Sequence, residues 1–294
     1  MKTIFTLALL LFYSTIFAQD SISVSPNFTV GKKVKLQINK YKHKFKGGEV
    51  TETTTNYNSQ FKIISKTDST YNGEWKYKTI ELKNEESIIA NNMTKMLEGL
   101  KINFVLHTNG EFKKLENWEE VKTSLEKKLK KLSSTALSPK DRDQILGIQR
   151  LINNKETVEQ AVSKDIQLYF GCYGIKVPTK DSLVVRAEIP NVMGGPSIPA
   201  YLSYSSKQTE NSIILKSNLT VNPTFSQPII DEMLKRYYQI KKIQSNGSVY
   251  KFDFIDSKEH QVLTNKDIQK VILKRTIQYA DLMQTETETI SLIK

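Results

Sequence analysis

The chain has 294 residues, a single cysteine and a formal net charge of +12 at pH 7. One cysteine excludes an internal disulfide framework, so stability must come from a hydrophobic core. Only five of the 43 basic residues are arginine, the residue expected to dominate bidentate phosphate recognition, and the lysines are spread over every segment. We therefore expect no nucleic-acid partner and interpret the lysines as solvated faces.

Residues 1–19 have the pattern of a secretory signal peptide. Lys2 precedes an apolar stretch from Ile4 to Phe17, which is followed by Ala18 and Gln19. This stretch is shorter than the roughly 20 residues that a membrane-spanning helix needs, and no comparable stretch follows it. We predict cleavage after Ala18 or Gln19 and an exported protein, periplasmic or extracellular, without a transmembrane segment.

Residues 20–116 read as a first strand-rich half. Val34, Leu36 and Ile38 alternate with polar neighbours, as in a half-buried strand. Residues 87–97 fit a short helix. Glycine-containing turn signals separate the other strands of this half, at Gly47-Gly48, Asn72-Gly73 and Asn109-Gly110. Hairpins connected in this way predict an antiparallel meander.

Residues 117–171 predict three consecutive helices, because apolar residues recur at steps of three and four through the block. We expect Asn117 to cap the first helix in a capping box with Glu120, and Ser138 to start the second. Gly171 is expected to end the third helix in a left-handed conformation. Short isolated helices are marginal in water, so their apolar stripes must be buried against the strands on either side.

Residues 172–294 read as a second strand-rich half. Strand-like alternation is interrupted by a glycine-proline loop and by one helix, which we expect to open at Ser226 and Pro228. Residues 268–280 fit a strand and also a helix. The chain closes on a strand from Thr285 to Ile293.

Together these patterns predict an α+β protein with a curved antiparallel sheet, resembling a half-barrel, and a helical insertion of about three helices. An offset of 148 residues places Phe104 on Phe252 and Leu115 on Leu263, which raises the idea of two related halves. Residues 20–294 would then form one packed unit.

Residues with catalytic or metal-binding chemistry are sparse. His43, His107 and His260 have no mutual spacing that would place two of them on one metal, so we expect no metal site. The sequence contains no P-loop, dinucleotide fingerprint or serine-hydrolase elbow, and we expect no cofactor. Cys172 follows a helix C-terminus, which disfavours a thiolate, and it is interpreted as a buried or half-buried thiol. The alternating acidic residues of 285–289 are interpreted as a solvated or edge-protecting face.

A ligand site, if the protein has one, should be lined by apolar groups close to irregular backbone. Such groups occur at the end of the third helix, in the glycine-proline loop, on the next strand and on the later helix. The candidate binding residues are Tyr169, Tyr173, Met193, Tyr201, Tyr204, Met233 and Tyr237. Aromatic rings supply apolar contact area, and phenol hydroxyls fix orientation. The alternative is that all of them are ordinary core residues.

Two segments resemble a family of uncharacterised secreted bacterial proteins: FTVGKKVKL at 28–36 and VPTKDSL at 177–183. In that family a lysine-glycine start and a Val-x-x-Gly-Asp-Ser/Thr turn flank a helical middle, and Lys180 stands here at the glycine position. The end of the apolar stretch, Phe17-Ala18-Gln19, is similar to that of envelope proteins of gliding and gut-type bacteria. More loosely, the predicted sheet resembles the half-barrels of periplasmic lipoprotein carriers.

These observations favour an exported, non-catalytic binding or structural protein of the bacterial envelope. It would hold an apolar small molecule or an envelope component between sheet and helices. One alternative is an envelope hydrolase with dispersed site residues such as His107, Asp181 and Glu259. Another is a basic protein that contacts an anionic membrane or polymer through Lys235, Arg236, Lys241 and Lys242. The ligand and the oligomeric state stay open at this point.

Overall fold

The computed structural model describes residues 21–84, 94–134, 138–191, 195–241, 252–279 and 282–293. The strands are β1 Ser21–Ser23, β2 Lys33–Lys46, β3 Glu49–Lys66, β4 Thr70–Lys83, β5 Lys101–His107, β6 Phe112–Leu115, β7 Lys176–Pro178, β8 Leu183–Ile189, β9 Ile198–Gln208, β10 Ser212–Val221, β11 Asp253–Leu263, β12 Ile268–Tyr279 and β13 Leu282–Leu292. The long helices are α1 Trp118–Ser133, α2 Pro139–Ile152, α3 Lys155–Phe170 and α4 Pro223–Lys241.

Eleven of these strands form one antiparallel sheet in the order β6-β5-β4-β3-β2-β13-β12-β11-β10-β9-β8, and β1 pairs with β7 separately. The central pair joins β2 to β13, with Ile38 opposite Ile290, so the first and last long strands are neighbours. The sheet is curved and open, with β6 and β8 at its edges. The predicted α+β fold, a curved antiparallel sheet with inserted helices, is therefore confirmed.

The main core lies between α3 and the sheet. Phe170, at the end of α3, packs its ring against Phe61 and Phe104 at centroid distances of 5.3 and 5.6 Å. Tyr169 contacts the Phe61 ring at 5.5 Å and the Trp75 ring at 6.2 Å. The aromatic residues at the end of α3 thus form the centre of the main core. The apolar stripe of this helix is buried against the sheet, as expected, and this burial holds the helix in place.

A second core lies further along the same face of the sheet, beneath α4. It contains Ile189, Ile198, Met233 and Leu234. A row of charged side chains separates the two cores, because Asp256, Arg275, Glu286 and Lys42 are paired neighbours on four adjacent strands. Alternate residues of a strand share a face, so this row crosses the face that carries both helices.

The helix starts were predicted partly correctly. Helix α2 starts after Ser138, as expected, and Ser138 also forms a capping box with Asp141, whose backbone N–H donates to the Ser138 hydroxyl at 3.1 Å. Asn117 is the N-cap residue of α1, as predicted, but its side chain makes no capping hydrogen bond to the first turn. Its side-chain oxygen accepts the Asn103 N–H at 2.8 Å, and its amide donates to the Lys101 carbonyl at 3.2 Å. Asn117 therefore fixes the start of α1 to β5 instead of closing the first turn.

Three other local expectations were also resolved. Gly171 has φ −65°, so it ends α3 without the left-handed conformation that we expected, which Gly174 adopts instead. The helix expected to open at Ser226 begins at Pro223 and contains Pro228. Residues 268–279 are strand, so the 148-residue offset aligns helix α1 with strand β12 and does not relate equivalent elements. Most of the short helix predicted at 87–97 lies outside the described residues.

Replacing Gly73 with alanine should lower the free energy of unfolding by about 1–3 kcal/mol. The prediction of a turn at Asn72-Gly73 was wrong, because the turn lies at residues 67–69 and Gly73 is inside β4. A Cβ at this position would lie 2.2 Å from the nearest ring carbon of Phe104, which is itself buried in the main core. Gly147→Ala in α2 is the matched control, because nothing lies within 4 Å of its added Cβ and alanine favours helix. Urea denaturation of both variants measures the difference, and equal stabilities would contradict this packing.

Candidate functional site

An apolar chamber of about 320 Å³ lies between α4 and the adjoining strands. Helix α4 forms one wall, and the ends of β8, β9, β11, β12 and β13 form the others. The lining residues are Ile189, Pro190, Ile198, Met233, Leu234, Tyr237, Phe252, Phe254, Ile277, Tyr279, Leu282 and Gln284. Its volume is within the range of small-molecule sites, which are mostly apolar with a few polar groups.

The local sequence explains why these side chains meet. Met233 and Tyr237 are four residues apart on α4, so they share the helix face that packs on the sheet. On the neighbouring strands, alternation directs Phe254, Ile277 and Tyr279 to the face of the sheet that α4 covers. The Tyr237 ring meets the Tyr279 ring edge-on at 5.2 Å, which fixes one wall of the chamber.

One end of the chamber borders the charged row. Arg275 lies over the ring of Phe254, a chamber residue, with its guanidinium carbon 5.9 Å from the centroid. The same guanidinium is held by Asp256, whose Oδ2 accepts from Arg275 Nε at 2.8 Å. The ion pair therefore supports the chamber from outside. Within the lining, the polar groups are the hydroxyls of Tyr237 and Tyr279 and the amide of Gln284.

A second candidate site is a carboxylate cluster beneath α3, formed by Asp165, Lys40, Glu288, Tyr57 and Tyr77. Lys40 Nζ lies 2.7 Å from Asp165 Oδ1 and 3.4 Å from Glu288 Oε1. The hydroxyls of Tyr57 and Tyr77 both donate to Asp165 Oδ2, the latter at 2.9 Å. Neither oxygen of Glu288 has a hydrogen-bond partner among the described residues.

The two carboxyl groups of this cluster have opposite pKa shifts. Burial alone would raise the pKa of Asp165, but the Lys40 charge and the hydrogen bonds from Lys40 and Tyr57 outweigh it and lower the pKa to about 2. For Glu288, burial and the neighbouring Asp165 charge raise the pKa to about 8, despite the opposing Lys40 and Lys164 charges. At neutral pH the cluster therefore holds one carboxylate, Asp165, and a largely protonated Glu288.

The cluster has perturbed pKa values but little access to solvent. The side chains of Asp165 and Glu288 are 3% and 0% exposed, and only Lys40 reaches the surface, at 23%. A substrate would have to displace α3 to reach either carboxyl group. Perturbed pKa values also arise in structural ion-pair networks. We therefore interpret the cluster as the polar attachment of α3 to the sheet and the chamber as the candidate binding site.

The structure places two of the sequence-predicted binding residues, Met233 and Tyr237, in the chamber wall. Tyr169 and Tyr173 line a different cavity, of about 340 Å³, at the opposite end of the sheet's central strands. Their hydroxyls donate to the Ile268 and Lys266 carbonyls at 3.1 and 2.9 Å, so both are anchored in the main core.

The remaining predicted residues are dispersed. Tyr204 lines a cavity of about 350 Å³ beside α3, together with His260 and Cys172. Tyr201 is on the opposite face of β9 and is 37% exposed. Met193 lies outside the described residues. The predicted set therefore does not form one site. Most of the chamber lining was not predicted, because it comes from strands that are distant in sequence.

The single thiol and the one buried histidine have structural surroundings. Cys172 is buried, as interpreted from the sequence, and burial raises its pKa to about 12. Burial lowers the pKa of His260 to about 4, and its Nε2–H donates to the Leu168 carbonyl at 2.8 Å. No group of three or more His, Cys, Asp or Glu side chains arranged for a metal ion occurs within the described ranges.

The acidic residues of β13 were misread from the sequence. We expected a solvated or edge-protecting face, but β13 is a central strand, and Glu288 is fully buried. The signal was present in the alternation, since Glu286 and Glu288 share a face with the apolar Ile290. Glu288 lies two residues before Ile290, which belongs to the main core, so the alternation places its carboxyl group beside that core.

Comparisons with known proteins give little similarity. No family model matches the chain. No curated protein matches it either. Among solved structures, one titled "Lipid-protein interactions in lipovitellin" aligns with a TM-score of 0.44 and 8% identity, over 91% of this chain and 26% of that one. The chain therefore spans about a quarter of the length of that structure. This similarity is too low to support an argument. Among the described residues, no helix combines the length and apolarity needed to cross a membrane.

Proposed function

We propose that the protein is an exported, non-catalytic binding protein that holds an apolar small molecule in the chamber beneath α4. The single observation that carries the proposal is the chamber itself, about 320 Å³ with an almost entirely apolar wall. The walls of an empty apolar cavity lack packing partners, so a fitting occupant recovers dispersion contacts and removes apolar surface from water.

The lining defines the class of ligand. An ionised group would find no opposite charge among the described lining residues, whose polar side chains are two phenols and one amide. The Tyr279 hydroxyl and the Gln284 amide can orient one hydrogen-bonding group. The ligand we propose is therefore an uncharged molecule with an apolar body and at most one or two polar atoms.

Export to the envelope is part of the proposal and rests on Lys2 and the apolar stretch that follows it. The alternative of a basic protein that binds an anionic surface is less supported by α4. Lys235 and Arg236 are exposed there, but Arg236 Nε pairs with Glu232 at 3.0 Å and Asp231 lies on the same helix face as Lys235. This face has mixed charge, so an anionic surface would meet repulsion as well as attraction.

Replacing Ile277 with tryptophan is expected to weaken uptake of N-phenyl-1-naphthylamine, an uncharged apolar fluorophore, by at least tenfold. The larger ring would occupy the chamber from the β12 wall, while the parent protein should enhance and blue-shift the fluorescence of the probe. In Leu282→Trp the larger ring would occupy the chamber from the β13 wall, and this variant should also weaken probe uptake.

Ile255→Trp is the matched control, because Ile255 adjoins the chamber residue Phe254 on β11 but points to the other face, where it is 41% exposed. This variant should bind the probe like the parent. Unfolding midpoints verify that each variant is folded. Absence of probe uptake by the parent, or equal loss in the control, would contradict the proposal.

A further inference from the structure

Strand β8 is an open edge of the eleven-stranded sheet. It pairs with β9 on one side, and on its other side no described strand uses its backbone N–H and C=O groups. Its side chains are also exposed: Leu183 is 39%, Val184 56% and Val185 38% accessible. Open edges with apolar side chains are templates for pairing with another strand, and most proteins block them.

The other edge of the sheet is blocked. Strand β6 has only four residues, and the backbone N–H of Leu115 donates to the Glu159 carboxylate of α3 at 3.2 Å. The short length and this helix contact prevent further strand addition there. The two edges therefore differ, and only β8 offers a continuous pairing surface among the described residues.

The sequence of β8 is complementary to itself. If two copies pair antiparallel around Ala187, Arg186 of each copy lies opposite Glu188 of the other, and Val185 lies opposite Ile189. Both charged residues are exposed and on the same face of the strand, so two cross-strand ion pairs form at once. Centring the pair on Arg186 would instead set two arginines against each other.

We infer that two copies of this chain associate through their β8 strands, joining the two sheets into one two-fold symmetric sheet. A two-fold contact uses the same patch on both copies, which is what the Arg186 and Glu188 spacing requires. The seven residues of β8 make a small interface, so the association should be concentration dependent. The inference does not depend on the chamber being occupied.

Sedimentation velocity of the full chain over a range of concentrations tests this. The parent should convert from monomer to dimer as its concentration rises. Arg186→Glu and Glu188→Arg should each weaken the dimer at least tenfold, because each places like charges opposite one another twice. The double exchange Arg186→Glu/Glu188→Arg restores opposite charges and should dimerise like the parent.

A mixture of the two single variants provides an independent measurement. One copy then carries two acidic residues and the other two basic ones, so a heterodimer should form where neither variant self-associates. Lys127→Glu, a charge reversal at an exposed position of α1, is the control and should leave dimerisation unchanged. The inference is overturned if the parent stays monomeric throughout, or if folded single variants dimerise as it does, or if neither the double exchange nor the mixture restores association.

Discussion

Replacing Lys40 with methionine is expected to lower the free energy of unfolding by about 3–5 kcal/mol. Among the described residues Lys40 is the cation within ion-pair distance of Asp165, at 2.7 Å, so the variant would leave this carboxylate buried beside Glu288 with no described positive charge in contact. The hydroxyls of Tyr57 and Tyr77 would still donate to it, but hydrogen bonds from neutral groups do not replace the lost charge. Urea denaturation at pH 7 measures the loss.

Two further variants separate the ion pair from the general effect of removing a lysine. Lys42→Met changes the next residue on the same face of β2, which is exposed, and should alter stability by no more than about 0.5 kcal/mol. Asp165→Asn in the Lys40→Met background removes the orphaned charge and should recover part of the loss. Together with Asp165→Asn alone, these variants give the coupling energy between the two positions. Equal losses for Lys40→Met and Lys42→Met would rule out the role given to the cluster.

The carboxylate cluster lies at the β2–β13 pair, where the first and last long strands of the sheet meet. Lys40 is on β2 and Glu288 on β13, the central pair through which the two ends of the meander meet. Asp165 brings α3 to the same point, while Tyr57 and Tyr77 extend the contact to β3 and β4. Four strands and one helix are thus joined by a single buried network, whereas the apolar contacts around it are less directional.

The sequence predicted the elements better than their arrangement. Helices α2 and α3 and the hairpin from β2 to β3 at Gly47-Gly48 follow from periodicity, caps and turn residues, which are local properties. The pairing of β2 with β13 is not local, since it joins residues such as Leu36 and Leu292 from opposite ends of the chain. Without that pairing, β13 is easily taken for an edge strand and Glu288 for a solvated residue.

The same limit applies to the candidate site. Met233 and Tyr237 were predicted as apolar groups close to irregular backbone, and their placement on one helix face follows from a spacing that is visible in a single segment. Phe254, Ile277 and Leu282 belong to three strands whose register is set by the whole sheet, so no single segment indicates that they face the same cavity. Conversely, Tyr169 met the criteria for a ligand contact but lies in the main core, because α3 ends against the centre of the sheet.

Raising the pH from 6.5 to 8 is expected to lower the free energy of unfolding of the parent protein by about 1–2 kcal/mol. In this range the unfolded chain has already released the proton of Glu288, whose ordinary pKa is 4.5, while the folded protein retains it because burial and the Asp165 charge raise the pKa to about 8. Folding therefore binds a proton, and stability falls as pH rises. Burial lowers the pKa of His260 to about 4, which has the opposite effect; because the unfolded histidine, with its ordinary value of 6.5, is half protonated at pH 6.5, it offsets a small part of the fall at the start of the window.

The other groups facing Glu288 that carry a shifted pKa do not titrate in this window. The pKa of Asp165 is lowered to about 2, and those of Lys40, Tyr57 and Tyr77 are raised above values that already exceed the range. Lys164 and Glu286 complete the surroundings, with Lys164 Nζ 3.8 Å from Glu288 Oε2 and 3.3 Å from Glu286 Oε1. The slope between pH 6.5 and 8 should therefore report Glu288.

Glu288→Gln should remove this slope and leave the variant more stable than the parent at pH 8, since the amide carries no charge to bury. Glu286→Gln is the matched control on the same face of β13. Burial there would raise the pKa of Glu286, but the Lys164 charge outweighs it and lowers the pKa, so this carboxyl group is ionised throughout the window and its variant should keep the slope of the parent. Urea unfolding at pH 6.5, 7.2 and 8 measures how the free energy of unfolding of the parent and of both variants depends on pH. A slope that survives in Glu288→Gln, or that disappears in Glu286→Gln, would show that the proton is held elsewhere.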